Sequence, residues 1–597
     1  MNKAIESVLG SVQGFLEDNF GDRNFIAEER LRDMITSVSG HADIAMPCHQ
    51  IASELTIKNP VEAAEWLRQE IKVDPNIIAR YESKGPFINF FVNRERLAEE
   101  VLSEIHERGS DYGKSDKGEG KTVVFDYSAP NIGKPLHIGH IRSTIIGDAA
   151  IRILQKAGYS THGINYLGDI GLHLGKIIYS YQRYLDPENL EKDPERELLR
   201  LYVKFGEDHE KYVQDNKSLE QKIAESPEDE EVEDVEKIDS PVMREAKAIL
   251  KRIEGKDPEM LALVDKIHDY SMRSFDEVYG LLGVGFDEIT GQSRFSERGK
   301  REVQRALDMG VAEVDERGAV VVKALERYGI PPKVILRSDG TAIYSTQDLG
   351  AANERFDRFH FDRLVYVVAE EQKTYFEQMF KILELMGNSW ADRCHHLSFG
   401  MINLADEKMS SRKGNIVYLA DVLRKSVDLS RGLIKDEDIG EEEREEIARK
   451  VGIGAIKYMV LGVDPIKPIQ FTWKRALDLS TNSSPYVQYS YVRANSLTRD
   501  RTAETFRAPE LTGNDEFDLI KKLSEYQSCV ERAAESLRPN MIANYAYDLA
   551  KSFTRFYHSN KIIGSEKEES RLFLVGCYKT VLQDSLSLLG IGMPERM

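Results

Sequence analysis

The segment Ser128-Ala-Pro-Asn-Ile-Gly-Lys-Pro-Leu-His137-Ile-Gly-His140 constrains this chain's fold more than any other. Before it, Thr122-Val-Val-Phe-Asp-Tyr127 is an apolar, β-branched and aromatic run that predicts a buried strand. After it, Ile141, Ile145, Ile146, Ala149, Ile153 and Leu154 recur at helical spacing as far as Gly158, which predicts a helix. His137 and His140 therefore share one face of a helix start. Free backbone N–H groups and the positive end of the helix dipole attract an anion there. Gly139 leaves room for a flat ring to approach the backbone. Two imidazole donors in this setting suit a nucleotide triphosphate. A lone histidine in a helix is more often an ordinary surface or core residue, and a four-residue match is weak alone. The strand–turn–helix setting gives it weight.

The pattern around the turn is βαβ. Ser160-Thr-His-Gly-Ile-Asn-Tyr166 reads as the next parallel strand, and Gly168-Asp-Ile-Gly-Leu-His-Leu-Gly175 opens another turn. Residues 183–265 are charged and helical in pattern, an inserted element. Strand character returns at 363–369 and 396–399, with a helix over 375–385 between them. Such alternation implies a doubly wound parallel sheet with ligands at the carboxyl ends of its strands. Residues 1–110 read as a small α+β domain ending in a strand over 85–92, followed by the glycine-rich linker 111–121. Beyond about 465 no strand is expected. Helices are predicted over 486–497, 517–534, 540–557 and 571–589, an all-α bundle. The expected division is 1–110, 120–425 with the insertion, a connecting helical segment 426–464, and 465–597.

At 597 residues, three or four domains are required. A net charge of −20 excludes a general affinity for nucleic acid but leaves room for local basic faces. The acidic runs 225–234 and 436–446 read as solvated surface. Cys48, Cys394, Cys529 and Cys577 form no CxxC pair, so neither a zinc site nor a disulfide framework is indicated. Cys394-His395-His396 reads as strand rather than metal site. No apolar run reaches membrane-spanning length, and Met1-Asn-Lys-Ala-Ile-Glu is no secretory leader. A cytoplasmic, reduced setting is expected.

A second loop, Lys408-Met409-Ser410-Ser411-Arg412-Lys413, puts three cations within six positions after the last strand. Alone it would be an exposed basic loop; paired with the histidine turn it suits a phosphate clamp. The two loops, HIGH and KMSSR in one-letter code, resemble the marks of the class I aminoacyl-tRNA synthetases. Within that class, Asn165-Tyr-Leu-Gly-Asp169, Ser484-Pro-Tyr-Val-Gln-Tyr489 and the ending Leu588-Leu-Gly-Ile-Gly-Met-Pro-Glu-Arg-Met597 resemble the arginyl-tRNA synthetase family.

The resemblance implies a multidomain α/β protein: a Rossmann-type parallel-sheet catalytic domain between an N-terminal α+β tRNA-binding domain and a C-terminal all-α anticodon-binding bundle. It implies ATP-dependent ligation of L-arginine to tRNA(Arg) through an arginyl-adenylate. Magnesium would arrive with ATP, with no dedicated protein metal site. His137, His140, Lys408, Arg412 and Lys413 take the catalytic roles, and Gly139, Met409 and Ser410 join the histidines around ATP. A guanidinium offers five donors in a planar fork, so its pocket needs carboxylates and other acceptors. Tyr344 and Asp348, at i and i+4, share a helix face, and the family's guanidinium-binding positions fall on them. Asp126, Ser128, Asn131 and Gln372 match the remaining arginine-binding positions. Asp126 stands where relatives carry Glu, and Gln347 where relatives often carry Arg.

For tRNA, the resemblance points to Tyr486, Tyr489, Arg493, Tyr557 and Met597 in the bundle, and to Phe87 and Asn89 in the N-terminal domain. A tyrosine stripe at this spacing is more often core packing, and Phe87 equally suits a core. A monomer is expected, with no membrane partner. The alternatives are another class I synthetase and a non-catalytic tRNA-binding paralogue. The absence of zinc-type cysteines and the acidic pocket count against the first, the presence of both phosphate loops against the second.

Overall fold

The computed structural model describes residues 1–20, 26–38, 42–215, 240–404, 417–435, 438–501 and 503–597. The basic loop with Lys408, Met409, Ser410, Arg412 and Lys413 lies outside the described residues.

The N-terminal part carries an antiparallel sheet of β1 (Thr36–Ser37), β2 (Ile44–Pro47), β3 (Ile78–Lys84) and β4 (Phe87–Val92), in the order β1-β2-β4-β3. The helices Asn2–Phe20 and Pro60–Glu70 accompany it, and the latter is capped by Asn59, whose side chain accepts the Val61 N–H.

The central part is built on five parallel strands: β5 (Thr122–Asp126), β6 (Ser160–Leu167), β7 (Glu288–Gly291), β11 (Arg363–Ala369) and β12 (Cys394–Phe399), in the order β12-β11-β5-β6-β7. In β5 and β11, at the centre of the sheet, residues on both faces are buried, and these two strands read as nearly continuous apolar runs. Val123 and Phe125 of β5 enter one core with Ile145 and Ile146, while Val124 enters another with Leu349, Leu364 and Phe376. Connections from β5 and β11 leave toward opposite faces: the helix Ile141–Lys156 packs in the first core and the helix Lys373–Leu385 in the second. Their divergence makes a crevice at the carboxyl ends of these neighbouring strands.

Three features depart from expectation. The inserted element is wider than 183–265: the helices Leu172–Tyr184, Pro187–Lys192, Pro194–Asp215, Pro241–Glu254 and Pro258–Leu282 all lie between β6 and β7. The flanking helices carry buried rows such as Leu174, Ile177 and Ile178, and Phe275, Val278 and Leu282, which mask the boundary in sequence. A strand does occur past 465: β14 (Ile469–Phe471) pairs in parallel with β13 (Ile402–Leu404), too short to leave a pattern. The helix expected over 517–534 is two helices, Asn514–Ser524 and Tyr526–Ser536. Tyr526 is fully buried and its hydroxyl donates to Asp584 at 2.5 Å, drawing the chain inward at the break. A three-stranded antiparallel sheet, β8 (Glu313–Val314), β9 (Val320–Val322) and β10 (Lys333–Leu336), flanks the second core.

The remainder is helical: Leu419–Arg431 and Glu441–Leu461 lead into a bundle whose longest helices are Ser484–Thr498, Asn540–Ser559 and Glu568–Leu588. Arg94 donates to the Thr512 carbonyl at 2.9 Å and Tyr112 to that of Leu523 at 3.1 Å, joining this bundle to the first helix after the N-terminal sheet.

Candidate active site

Between β5 and the histidine turn the chain takes left-handed backbone at Ser128 (φ 70°) and Ala129 (φ 47°). Non-glycine residues there cost roughly 1–2 kcal/mol each, so neighbours must hold them. The Ser128 N–H donates to Ser143 Oγ at 2.9 Å and the Ala129 N–H to Asn165 Oδ1 at 3.1 Å. The buried hydroxyl of Ser128 lies 2.9 Å from those of both Thr144 and Tyr279 and so ties the turn to its neighbours. Asn131 is exposed, bridged to Gly168 after β6. A Cβ at Gly168 would lie 1.9 Å from Asn131 Oδ1, so a side chain there would displace the Asn131 amide.

The histidines follow in a single 3₁₀ turn, Ile138–His140, which runs into the helix Ile141–Lys156. His137 Nδ1 accepts the Gly139 N–H at 3.1 Å, and His140 Nδ1 accepts the His137 N–H at 3.2 Å. Backbone N–H groups can only donate, so both rings carry their proton on Nε2. The ring centres are 4.0 Å apart. Burial, then the charge of Lys134, lowers the His137 pKa; burial and then His137 lower that of His140 to about 3. Two neutral imidazoles thus stand at a helix start, each with one donor free of backbone duty.

Across the crevice lies the helix Tyr344–Phe359, with Tyr344 and Asp348 on one face as the spacing requires. Tyr375, at the start of the next helix, donates its hydroxyl to Asp348 Oδ2. Tyr344 and Tyr375 rings meet at 4.8 Å, and Lys333 donates to the Tyr344 hydroxyl at 3.2 Å. Burial first, then Asp126, raises the Asp348 pKa to about 6, against the pull of Tyr375 and Arg355. A carboxylate so destabilised gains from an incoming cation. Gln372 is exposed in the turn Glu370–Gln372 at the end of β11. Asp126 forms a buried ion pair with Arg355 at 2.8 Å, and burial raises its pKa against the pull of that guanidinium. The shorter Asp side chain stays within the sheet end, where a resident guanidinium meets it.

The inserted helices reach the histidine loop at three points. Tyr279 binds Ser128, Ser271 accepts the Gly133 N–H at 2.8 Å, and Glu195 accepts the Leu136 N–H at 3.1 Å. From the other side the Ile138 N–H donates to the Val417 carbonyl at 3.1 Å and the Leu419 N–H to that of Leu136 at 2.9 Å. Residues 417–419 immediately follow the basic loop in sequence. Arg142, fully buried, donates to the carbonyls of Gly400, Pro465 and Lys467 at 2.7, 2.9 and 2.8 Å, fixing the strand end that precedes that loop. Sequence reasoning missed Glu195, Arg142, Arg355 and Tyr375. Arg355 alone left a trace, seven positions after Asp348 and so on its helix face.

Comparison with known proteins covers nearly the whole chain. Residues 3–92 match the arginyl tRNA synthetase N terminal domain, 101–473 the catalytic domain of the class I (R) tRNA synthetases, and 487–597 the DALR anticodon binding domain. The arginine–tRNA ligase of Clostridium beijerinckii is 38% identical over 560 residues, 93% of this chain and 94% of that protein. That of Clostridium botulinum is 37% identical over 581 residues, 96% and 97% of the two chains.

The chain belongs to the arginyl-tRNA synthetase family.

The arginyl-tRNA synthetase fold extends along its full length. The Thermus thermophilus arginyl-tRNA synthetase structure superposes with a TM-score of 0.77 at 23% identity, covering 99% of this chain and 100% of that one. The Plasmodium falciparum enzyme gives 0.74 at 20%, covering 99% of each. On this arginyl-tRNA synthetase scaffold, the Arg493 guanidinium sits 4.6 Å over the Tyr489 ring and 5.6 Å from that of Tyr557, so three of the residues expected at the RNA come together. Tyr489 is 37% exposed. Tyr486 is partly buried, its ring 5.4 Å from Tyr547. The C-terminal tail is laid along the same helix: Gln488 donates to the Gly592 carbonyl at 2.7 Å and Asn495 to that of Glu595 at 3.0 Å, and Met597 is partly buried against the core. In β4, Phe87 is exposed beside His49, while Asn89 is buried and lies in register with Ala45 of β2 and Glu82 of β3. Among the described residues no helix is long and apolar enough to cross a membrane, and no group of three His, Cys, Asp or Glu is placed to hold a metal.

Proposed function

We propose that the chain joins L-arginine to tRNA(Arg) using ATP, through an arginyl-adenylate formed in the crevice between the histidine turn and the Tyr344/Asp348 helix. The observation that carries this reading is the pairing of two neutral Nε2–H donors at a helix start with a buried, cation-seeking carboxylate across the same crevice, in a chain of this family. The arginine carboxylate attacks the α-phosphate of ATP and pyrophosphate leaves; a terminal ribose hydroxyl of the tRNA then takes the arginyl group and AMP leaves. Both nucleophiles come from substrates, so the protein aligns reactants and stabilises charge growing on phosphate oxygens. His137 and His140 donate to those oxygens, and the anion in turn raises their pKa and strengthens the bonds. Asp348, with Tyr344, takes the guanidinium, and Asn131 and Gln372 at the crevice mouth take the α-substituents. Lys408, Arg412 and Lys413 serve the triphosphate, with Mg2+ arriving on the nucleotide. Tyr489, Arg493 and Tyr557 offer stacking faces to unpaired bases. The reading includes a monomer working in the cytoplasm.

Charging of purified tRNA(Arg) with labelled arginine tests it. His140→Ala is expected to lower kcat about a hundredfold, on the order of 3 kcal/mol of barrier, and Asp348→Ala to raise KM for arginine steeply. Full charging by both variants would remove the site assignment.

A further inference from the structure

The arginine side of the crevice already contains a guanidinium that belongs to the chain. Arg355 is 2% exposed, and its Nη2 lies 2.8 Å from Asp126 Oδ2. Its guanidinium carbon stands 4.8 Å from the Tyr166 ring centre and 5.6 Å from that of Tyr366. Among the described residues, none of Nε, Nη1 and Nη2 makes a hydrogen bond, so Nη2 meets Asp126 as an ion pair only. A buried cation with so few hydrogen bonds is tolerated only where it answers nearby negative charge. Two carboxylates supply it. Asp126 is in contact, and Asp348 stands seven positions earlier on the same face of the helix, its pKa raised first by burial and then by Asp126, and pulled down by Arg355.

We propose that Arg355 is a positioning residue that partitions these carboxylates, neutralising Asp126 so that Asp348 alone presents negative charge to the ligand. The pocket then carries one net charge, matched to a monocationic side chain. This rests on the reading of Asp348 as the guanidinium ligand. Without Arg355, Asp126 and Asp348 would repel each other in a low-dielectric setting, and the pair would hold a proton to higher pH. A protonated pair holds a neutral urea nearly as well as a guanidinium, so selectivity for arginine over its uncharged isostere citrulline would fall. The groups facing Asp348 are Asp126 of β5, Tyr166 of β6, Tyr366 of β11, Tyr375 of the following helix and Arg355 of its own helix. Burial raises all three tyrosines well above their usual range, so they remain neutral. Lys333 stands farther out, 5.1 Å from the Tyr344 and Tyr375 ring centres, and Cys394 of β12 faces Arg355.

The test uses the full-length enzyme, measuring tRNA charging across pH with arginine as substrate and citrulline as competitor. Arg355→Gln is expected to move the acid limb of kcat/KM for arginine upward by about one pH unit and to cut arginine-over-citrulline selectivity about tenfold. KM for ATP should stay within about threefold, and Arg355→Lys should restore most of both properties. Asp126→Asn removes the opposing charge and should move the limb the other way, which keeps the proposal testable even where Arg355→Gln does not fold. Arg355→Gln with lower activity but an unmoved limb and unchanged selectivity would overturn the proposal, as would an unmoved limb in Asp126→Asn. Asp348→Asn separates the two levels. Wild-type KM for arginine in that variant defeats the underlying reading, whereas a steep rise there beside an unmoved limb in Arg355→Gln defeats only the role of Arg355.

Discussion

His137 and His140 each accept a backbone N–H at Nδ1, which leaves Nε2–H as the single donor either ring can turn outward. Their burial lowers both pKa values and keeps the rings neutral. Asp348 behaves oppositely. With its pKa pushed up to about 6, it is mostly ionised at pH 7 and mostly protonated at pH 5. A guanidinium selects the ionised form, so KM for arginine is expected to rise about tenfold per pH unit below that value, approaching this slope as protonation completes. Asp348→Asn should flatten the limb and leave KM high throughout; initial charging rates from pH 5 to 8 check both. The sign for folding follows from the same shift. A carboxyl whose folded pKa is raised costs stability above that pKa and relieves the cost as pH falls through it. Bound arginine should therefore raise Tm more at pH 7 than at pH 5. The i, i+3 and i, i+4 spacings make the histidine pair and Tyr344/Asp348 legible in sequence. Tyr375 and Glu195 are not, because they reach the site across space, Tyr375 from a helix that reads as packing and Glu195 from the charged insertion.

The histidine turn depends on elements far from it in sequence. Strained backbone at Ser128 and Ala129 is held by the helix Ile141–Lys156, by Asn165 of β6 and by Tyr279 of the inserted helices. Glu195 binds the amide next to His137, and its own pKa is raised to about 7, chiefly by burial. Glu195→Ala is expected to raise KM for ATP several-fold, the loss of a hydrogen bond worth about 1 kcal/mol, with KM for arginine unchanged. Glu195→Gln keeps an acceptor and should stay near wild type; steady-state kinetics with ATP varied distinguishes them. The parallel strands β5, β6, β11 and β12 were readable, β5 and β11 because both of their faces are buried, whereas β7, only four residues long, was not. The pair β13–β14 and the sheet β8–β10 were not, since strands of two to four residues leave no period to detect. The insertion's limits were misjudged because its flanking helices bury apolar rows like the core helices do.

At the scale of the molecule, an acidic chain of net charge −20 has to meet an RNA polyanion. The Tyr489–Arg493–Tyr557 cluster gives one local answer: aromatic faces around a cation, on an exposed helix surface. Arg493→Ala is expected to weaken tRNA binding by about 1–3 kcal/mol, read as a rise in KM for tRNA with the kinetics for ATP and arginine unchanged. The three-part organisation could be read from shifts in composition and period, but the contacts that join the parts could not. Arg94 to Thr512 and Tyr112 to Leu523 link residues more than four hundred positions apart through single hydrogen bonds. The most direct test of the account is a crystal structure with a non-hydrolysable arginyl-adenylate analogue. The account predicts the guanidinium on Asp348 and Tyr344, and the phosphate surrogate within hydrogen-bond reach of Nε2 of His137 and His140. An analogue seated elsewhere, or reversed so that the adenylate end meets Asp348, would contradict it.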